Sequence, residues 1–137
     1  MTSNETLEVN KATVRRLYEE YYNQGNLDLL PILAAPNIEN HSNKIRGHSE
    51  FLANTKALHT AFEGLQFNID DMFAGGDLVV SVWKMTGRNV APFLGIEPTG
   101  EMIENQGLVV MRMVDGRISE VWGQVARARQ NAPSAAT

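Results

Sequence analysis

Apolar residues along this chain recur first at helical spacing and then, from Leu65 onward, at strand spacing. Within residues 5–24, Val14, Leu17, Tyr18 and Tyr21 fall on one face, and Lys11, Arg15, Arg16, Glu19 and Glu20 take the other. That spacing predicts an amphipathic helix with Gly25 as its stop. Asn26 is placed to cap a short second helix through Leu27, Leu29 and Leu30, which Pro31 and Pro36 break up. The polar stretch Asn37 to Gly47 reads as irregular. A third helix is predicted from Ser49 to Phe62, with Phe51, Thr55, Leu58 and Phe62 along one face.

The second half predicts strands. Leu65–Phe73 and Leu78–Thr86 flank a Gly75-Gly76-Asp77 hairpin turn, and a loop from Phe93 to Gly100 leads to two more strands about Asp115-Gly116. These last two carry apolar residues at odd and even positions: Leu108, Val109, Val110 and Met111, then Ile118, Val121 and Trp122. A strand apolar on both sides is covered on both sides. One cover is the chain's own helices, and the expected other is a second subunit, giving a homodimer or homotetramer through the outer sheet face. Helices followed by strands make the fold class α+β. Three N-terminal helices are expected on the concave face of a curved antiparallel sheet of four or five strands, a cone holding an apolar pocket.

At 137 residues and 43% hydrophobic, the chain is expected to form one domain over 1–137, folded from about 5 to 127. The tail Gln130–Thr137 lacks an apolar pattern and is expected to be disordered. There is no cysteine, so neither a disulfide framework nor a thiol nucleophile is available. A net charge of −4 with no basic face argues against nucleic acid. No stretch approaches the roughly 20 apolar residues of a membrane span. The N-terminus carries neither the basic flank nor the apolar run of a signal peptide, so a cytoplasmic location is expected. The expected partner is a small apolar metabolite.

Several phrases resemble the SnoaL-like polyketide cyclases of the nuclear-transport-factor-2-like fold. They are Val14-Arg15-Arg16-Leu17-Tyr18-Glu19-Glu20, Asn23-Gln24-Gly25-Asn26-Leu27-Asp28, His41 with Arg46-Gly47, Phe93-Leu94-Gly95-Ile96 with Pro98-Thr99-Gly100, and Val114-Asp115-Gly116-Arg117-Ile118 leading to Trp122. The resemblance spans roughly residues 9 to 125. It implies ring closure by intramolecular aldol condensation without cofactor or metal, in which a general acid/base removes an α-proton. The family's usual base is an Asp on the last strand, in an Ile-x-Glu-His-x-Asp phrase. Here that phrase is Ile118-Ser119-Glu120-Val121-Trp122-Gly123, so the His position is Val121 and the Asp position is Gly123. A polar pair common on the preceding strand falls on Gly107 and Val109. The customary acid/base groups are missing, and the two glycines imply room for a larger ring system.

What remains to move a proton is led by His41, which stands where the family often keeps a pocket His and whose imidazole titrates near neutrality. The alternative is a His that ties down its loop. Asp71 shares strand parity with Phe67 and Ile69, so it is the second candidate; its alternative is a solvated strand-end charge. Tyr22 matches a helix-one tyrosine that faces substrate in the family, or else is core. Trp83 and Met85 share parity as cone wall, and Asn105 shares parity with Gly107 and Val109. Trp122 and Gln124 alternate with these toward the subunit-facing side. His48 and His59 read as capping or surface groups. Three histidines on separate elements give no metal spacing, so no metal is expected. Arg112 and Asp115 resemble part of the Asp-Arg-Asp set of limonene-epoxide hydrolases, but no Asp stands on the final strand. The function implied is a cofactor-independent cyclase or isomerase acting on a bulky apolar polyketide- or terpenoid-like metabolite. The alternatives are a binding protein of the same fold and an epoxide-hydrolase-like enzyme.

Overall fold

A computed structural model describes residues 3–93 and 95–126. The expected tail, Gln130–Thr137, lies outside the described residues. Helix α1 (Asn4–Arg16) starts on Ser3, whose hydroxyl accepts the Thr6 N–H at 3.1 Å. The helix continues as a π-helical turn, Leu17–Tyr22, in which the Asn23 N–H reaches back five residues to the Tyr18 carbonyl at 2.9 Å. The wider turn lets Leu17, Tyr18, Tyr21 and Tyr22 all be buried. Gly25, at φ 72°, then ends the run in the left-handed region that a glycine adopts without strain. The side chain of Asn26 makes no capping bond; instead its carbonyl accepts the Leu29 N–H at 3.3 Å in a 3₁₀ turn, Leu27–Leu29. Helix α2 (Leu30–Leu33) follows, with Pro31 in its first turn, where no N–H is needed.

The stretch expected to be irregular instead supplies two strands, β1 (Ala34–Asn40) and β2 (Ile45–Arg46). Only Ala34 and Ile38 are buried on β1, and its register shifts between Ala34 and Glu39, around Pro36. Proline tolerates a ladder at such an irregularity, and the sparse apolar pattern hid the strand. Helix α3 (Gly47–Ala61) runs into β3 (Phe62–Gly75), followed by β4 (Leu78–Asn89), β5 (Met102–Val114) and β6 (Arg117–Ala126). The sheet is six-stranded in the order β2-β1-β6-β5-β4-β3, and every neighbour is antiparallel except the parallel pair β1–β6. The sheet is thus wider than the four or five strands expected, and mixed.

Burial alternates cleanly along β4. Val79, Ser81, Trp83 and Met85 are buried toward the helices, while Val80, Val82 and Lys84 face outward and are part-exposed. Cross-strand pairs share a face, so Val109 and Gly123, and Met111 and Val121, continue the inner wall onto β5 and β6. Asn23 fastens the π-turn to the sheet: its amide donates to the Phe67 carbonyl at 2.8 Å and accepts the Phe67 N–H at 2.7 Å.

Candidate functional site

Between the helices and the inner sheet face lies a cavity of about 340 Å³. Its floor is made by the π-turn, where Tyr18 hydrogen-bonds Ser81 at 3.1 Å and stands 5.6 Å from the Phe67 ring. One wall is aromatic. Tyr22, Phe67 and Trp83 pack in sequence, with ring centroids 4.9 Å and 5.2 Å apart, and Phe62 meets Phe93 at 5.9 Å. Met85 and Ile103 extend that wall. On the β1 side the lining is polar: Asn40 at the end of β1, Ser42 and Asn43 from the turn after it, and Asn54 from α3.

The turn is built by its own side chains. The Asn40 Oδ1 accepts the N–H of Ser42 at 3.0 Å and of Asn43 at 3.2 Å. Ser42 Oγ then accepts the Gly123 N–H and donates to the Gly123 carbonyl, both at 2.7 Å. Across the cavity, buried Asn89 anchors the loop that carries Phe93 and Ile96. Its Nδ2 donates to the Ala61 and Ala91 carbonyls at 3.3 and 3.0 Å, and its Oδ1 accepts the Thr99 N–H at 3.2 Å. Asn43 and Ile96 are exposed, so the cavity reaches the surface between the turn and the loop.

Seven of the residues singled out from the sequence line this cavity: Tyr22, Trp83, Met85, Asn105, Val109, Val121 and Gly123. The two candidates for proton transfer do not, and each departs for a definite reason. Pairing steps from Ile69 opposite Trp83 to Asp71 opposite Val82, so Asp70 is an extra residue on β3. A bulge of this kind reverses strand parity. Asp71 therefore shares the outer face with Val82 and is exposed. For His41, the register Glu39↔Glu120 and Asn40↔Val121 puts Asn40 on the inner face and sends His41 outward. There its Nε2 lies 3.0 Å from Glu120 Oε1, its Nδ1 lies 3.6 Å from Glu39 Oε2, and its ring stacks on Trp122 at 4.9 Å.

The same outer cluster holds Arg112, bonded to Asp77 at 2.7 Å and to Glu120 at 3.0 Å, which keeps the guanidinium firmly charged. Arg112 thus lies away from the cavity, and Asp115, at φ 53°, belongs to its turn. His48 Nε2 lies 3.0 Å from the Ala34 carbonyl and ties α3 to β1. Among the described residues no group of three or more His, Cys, Asp or Glu is placed to hold a metal ion. No helix among them is long and apolar enough to cross a membrane.

Among the described lining residues none is Asp, Glu, His, Lys or Arg. The titratable groups are the Tyr18 and Tyr22 phenols. Burial pushes both well above the usual tyrosine range, the neighbouring tyrosines adding to the effect at Tyr22, so both stay protonated. The two glycines differ. A Cβ on Gly123 would meet only Val109 Cγ2 at 3.4 Å and Ser42 Oγ at 4.0 Å, which leaves space. A Cβ on Gly107 would lie 2.3 Å from Trp83 Cζ2. The room expected at Gly107 is therefore occupied by the Trp83 ring.

Sequence reasoning missed the amide side of the cavity. Asn54 stands three residues after Phe51 and four before Leu58, so helical spacing alone could have assigned it to the inner face. Asn40, Ser42 and Asn43 gave no such signal, because the strand that aims them was not recognised.

Residues 12–132 match the sequence profile described as SnoaL-like polyketide cyclase. No curated protein matches the chain. A proposed SnoaL-like polyketide cyclase from Jannaschia sp. CCS1 superposes with a TM-score of 0.80 at 25% identity, over 91% of this chain and 90% of the other. IdmH, a proposed polyketide cyclase from Streptomyces antibioticus, gives 0.70 at 28% identity, over 85% and 91%. AclR, a proposed hydroxylase from Streptomyces galilaeus, gives 0.75 at 21% identity over 88% and 90%, a likeness of fold alone. With its profile matched over most of its length and its cone of helices on a curved mixed sheet, the chain belongs to the SnoaL-like polyketide cyclase family.

Proposed function

We propose that this chain is a cyclase or isomerase that closes or rearranges a bulky, neutral, largely apolar polyketide- or terpenoid-like metabolite within the cone. The observation that carries the reading is a cavity walled by aromatic and amide side chains, with no ionisable carboxylate or imidazole among its described lining. Such a site contributes by holding one molecule in a reactive shape. Confinement of that kind is worth up to about 7–11 kcal/mol when the geometry is near attack. The Tyr22 phenol, kept protonated by burial, is a neutral hydrogen-bond donor for a substrate carbonyl oxygen, and Asn105 orients that carbonyl.

The missing proton-transfer groups also favour a second reading, reversible binding without turnover. Incubating the protein with enolisable polyketide esters and epoxides, then weighing free and bound species by mass spectrometry, separates the two. A new isomeric product supports the enzyme; an unchanged, retained ligand supports the carrier; neither product nor bound species would overturn both.

We further propose that the outer sheet face pairs with a second copy of the chain. Phe73, Val80, Val110 and Trp122 form one row across four strands, with Val82 and Leu108 in the next. Phe73 is 57% and Leu108 46% exposed. Of the bordering charges, Arg112 is paired within the chain with Asp77 and Glu120 and Lys84 with Asp70, while Asp71 stands at the end of the Val82 row. Sedimentation should show a dimer or larger assembly that Val110→Glu converts to monomer; a wild-type monomer at tens of micromolar would refute it.

A further inference from the structure

The two sides of the cavity differ in chemistry, and strand order keeps them apart. The aromatic side rises from β3 and β4 with the Phe93 loop; the amide side rises from the end of β1 and the turn after it, on the far side of β5 and β6, and from the middle of α3. Three amides stand on that side, and their hydrogen bonds are incomplete. Asn40 spends its Oδ1 on the turn, leaving Nδ2 unbonded, and neither Asn43 nor Asn54 uses its side-chain amide in any hydrogen bond among the described residues. An amide offers two donors and an acceptor. The Asn40 Nδ2 and the amides of exposed Asn43 and part-buried Asn54, set beside an apolar chamber, suit a ligand edge that is polar but uncharged, since a charged group there would find no counter-ion in the described lining.

We infer that the cavity selects a flat, largely apolar molecule that carries, besides the carbonyl held by Asn105, a neutral carbonyl- or hydroxyl-bearing edge, with that edge on Asn43 and Asn54 and its face on Phe67 and Trp83. This rests on the proposed use of the cavity as the ligand site and adds orientation and charge selectivity to it. The amides act as positioning groups: they set which bonds of a folded substrate lie against each other, without taking a proton themselves.

Prodan, a neutral naphthalene with one carbonyl and an emission that shifts red when that carbonyl is hydrogen-bonded, is a direct probe. It is compared with 2-dimethylaminonaphthalene, which lacks the carbonyl, and with the anionic 1-anilinonaphthalene-8-sulfonate. Prodan should bind tightest, with red-shifted emission, and Asn43→Ala/Asn54→Ala should weaken it about 3–10-fold and shift its emission blue, the loss of one neutral hydrogen bond. The carbonyl-free probe should bind both proteins equally. Asn43→Asp/Asn54→Asp, nearly unchanged in shape, guards against a folding artefact and should further disfavour the sulfonate. Equal binding of the two naphthalenes, or preference for the sulfonate, overturns the orientation claim while leaving the cavity as the site. Failure of every probe to bind overturns both.

Discussion

Gly107→Ala is the sharpest single perturbation, because the structure states what the added methyl strikes. The new Cβ would stand 2.3 Å from Trp83 Cζ2 and 2.6 Å from both Cε2 and Cη2. Ordinary contact begins near 3.4 Å, so a rigid ring must retreat by about 1 Å. Phe67 abuts it edge-to-face at 5.2 Å, so the ring can retreat only into the cavity it lines. Overpacking of this kind costs about 1–3 kcal/mol, and the rigidity of the ring points to the upper half. For a chain of this size that corresponds to a fall in Tm of about 6–12 °C. Urea unfolding of wild type, Gly107→Ala, Trp83→Leu and the double variant forms a cycle. In the Trp83→Leu background the clashing atoms are gone, so Gly107→Ala should cost under about 0.5 kcal/mol there. An equal cost in both backgrounds would mean that Trp83 does not lie over Gly107, and the described shape of the cavity would be wrong.

At the other glycine the opposite is expected. Gly123→Asp has room for its Cβ, so the variant should fold with a loss under about 1 kcal/mol, and burial should lift its carboxyl above the ordinary range in an NMR titration; an ordinary value would show that position 123 faces water. Alkali should destabilise the protein, because Tyr18 and Tyr22 hold their protons above the ordinary value of 10.0 while the unfolded chain releases them there. Stability is full below pH 10 and each phenol withdraws about 1.4 kcal/mol per further pH unit, so Tyr22→Phe should decline less steeply; parallel declines would contradict the burial. Asn89→Ala removes three bonds from the loop after β4, so amide exchange at residues 90–101 should quicken and stability fall by about 1–3 kcal/mol; unchanged exchange would show that Asn89 is not the anchor.

The helices and the four long strands were readable because their apolar residues keep the period of the element, and the turns at Gly76 and Asp115-Gly116 because few other residues take a positive φ. Alternation also placed Trp83, Met85, Val109 and Val121 on one wall. The same reasoning misplaced Asp71, since parity survives only until a bulge, and nothing in Phe67 to Phe73 marks Asp70 as the extra residue. His41 was misread for a related reason. Its orientation is set by the register of a parallel strand pair far apart in sequence, and Ala34 to Asn40 does not look like a strand. Long-range register, not local propensity, decides which side of a sheet a side chain takes.

On the function proposed above, chemistry and binding belong to the neutral cavity and not to the His41 cluster on the far face of the sheet. Its most direct test follows product, or retained ligand, for wild type, His41→Ala and Gly123→Phe side by side, using a metabolite that the wild type converts or holds. Gly123→Phe projects a ring into the open space beside Val109. His41→Ala should stay within about threefold of wild type while Gly123→Phe should lose nearly all function. Collapse in His41→Ala with Gly123→Phe intact would contradict it and move the site to the outer face.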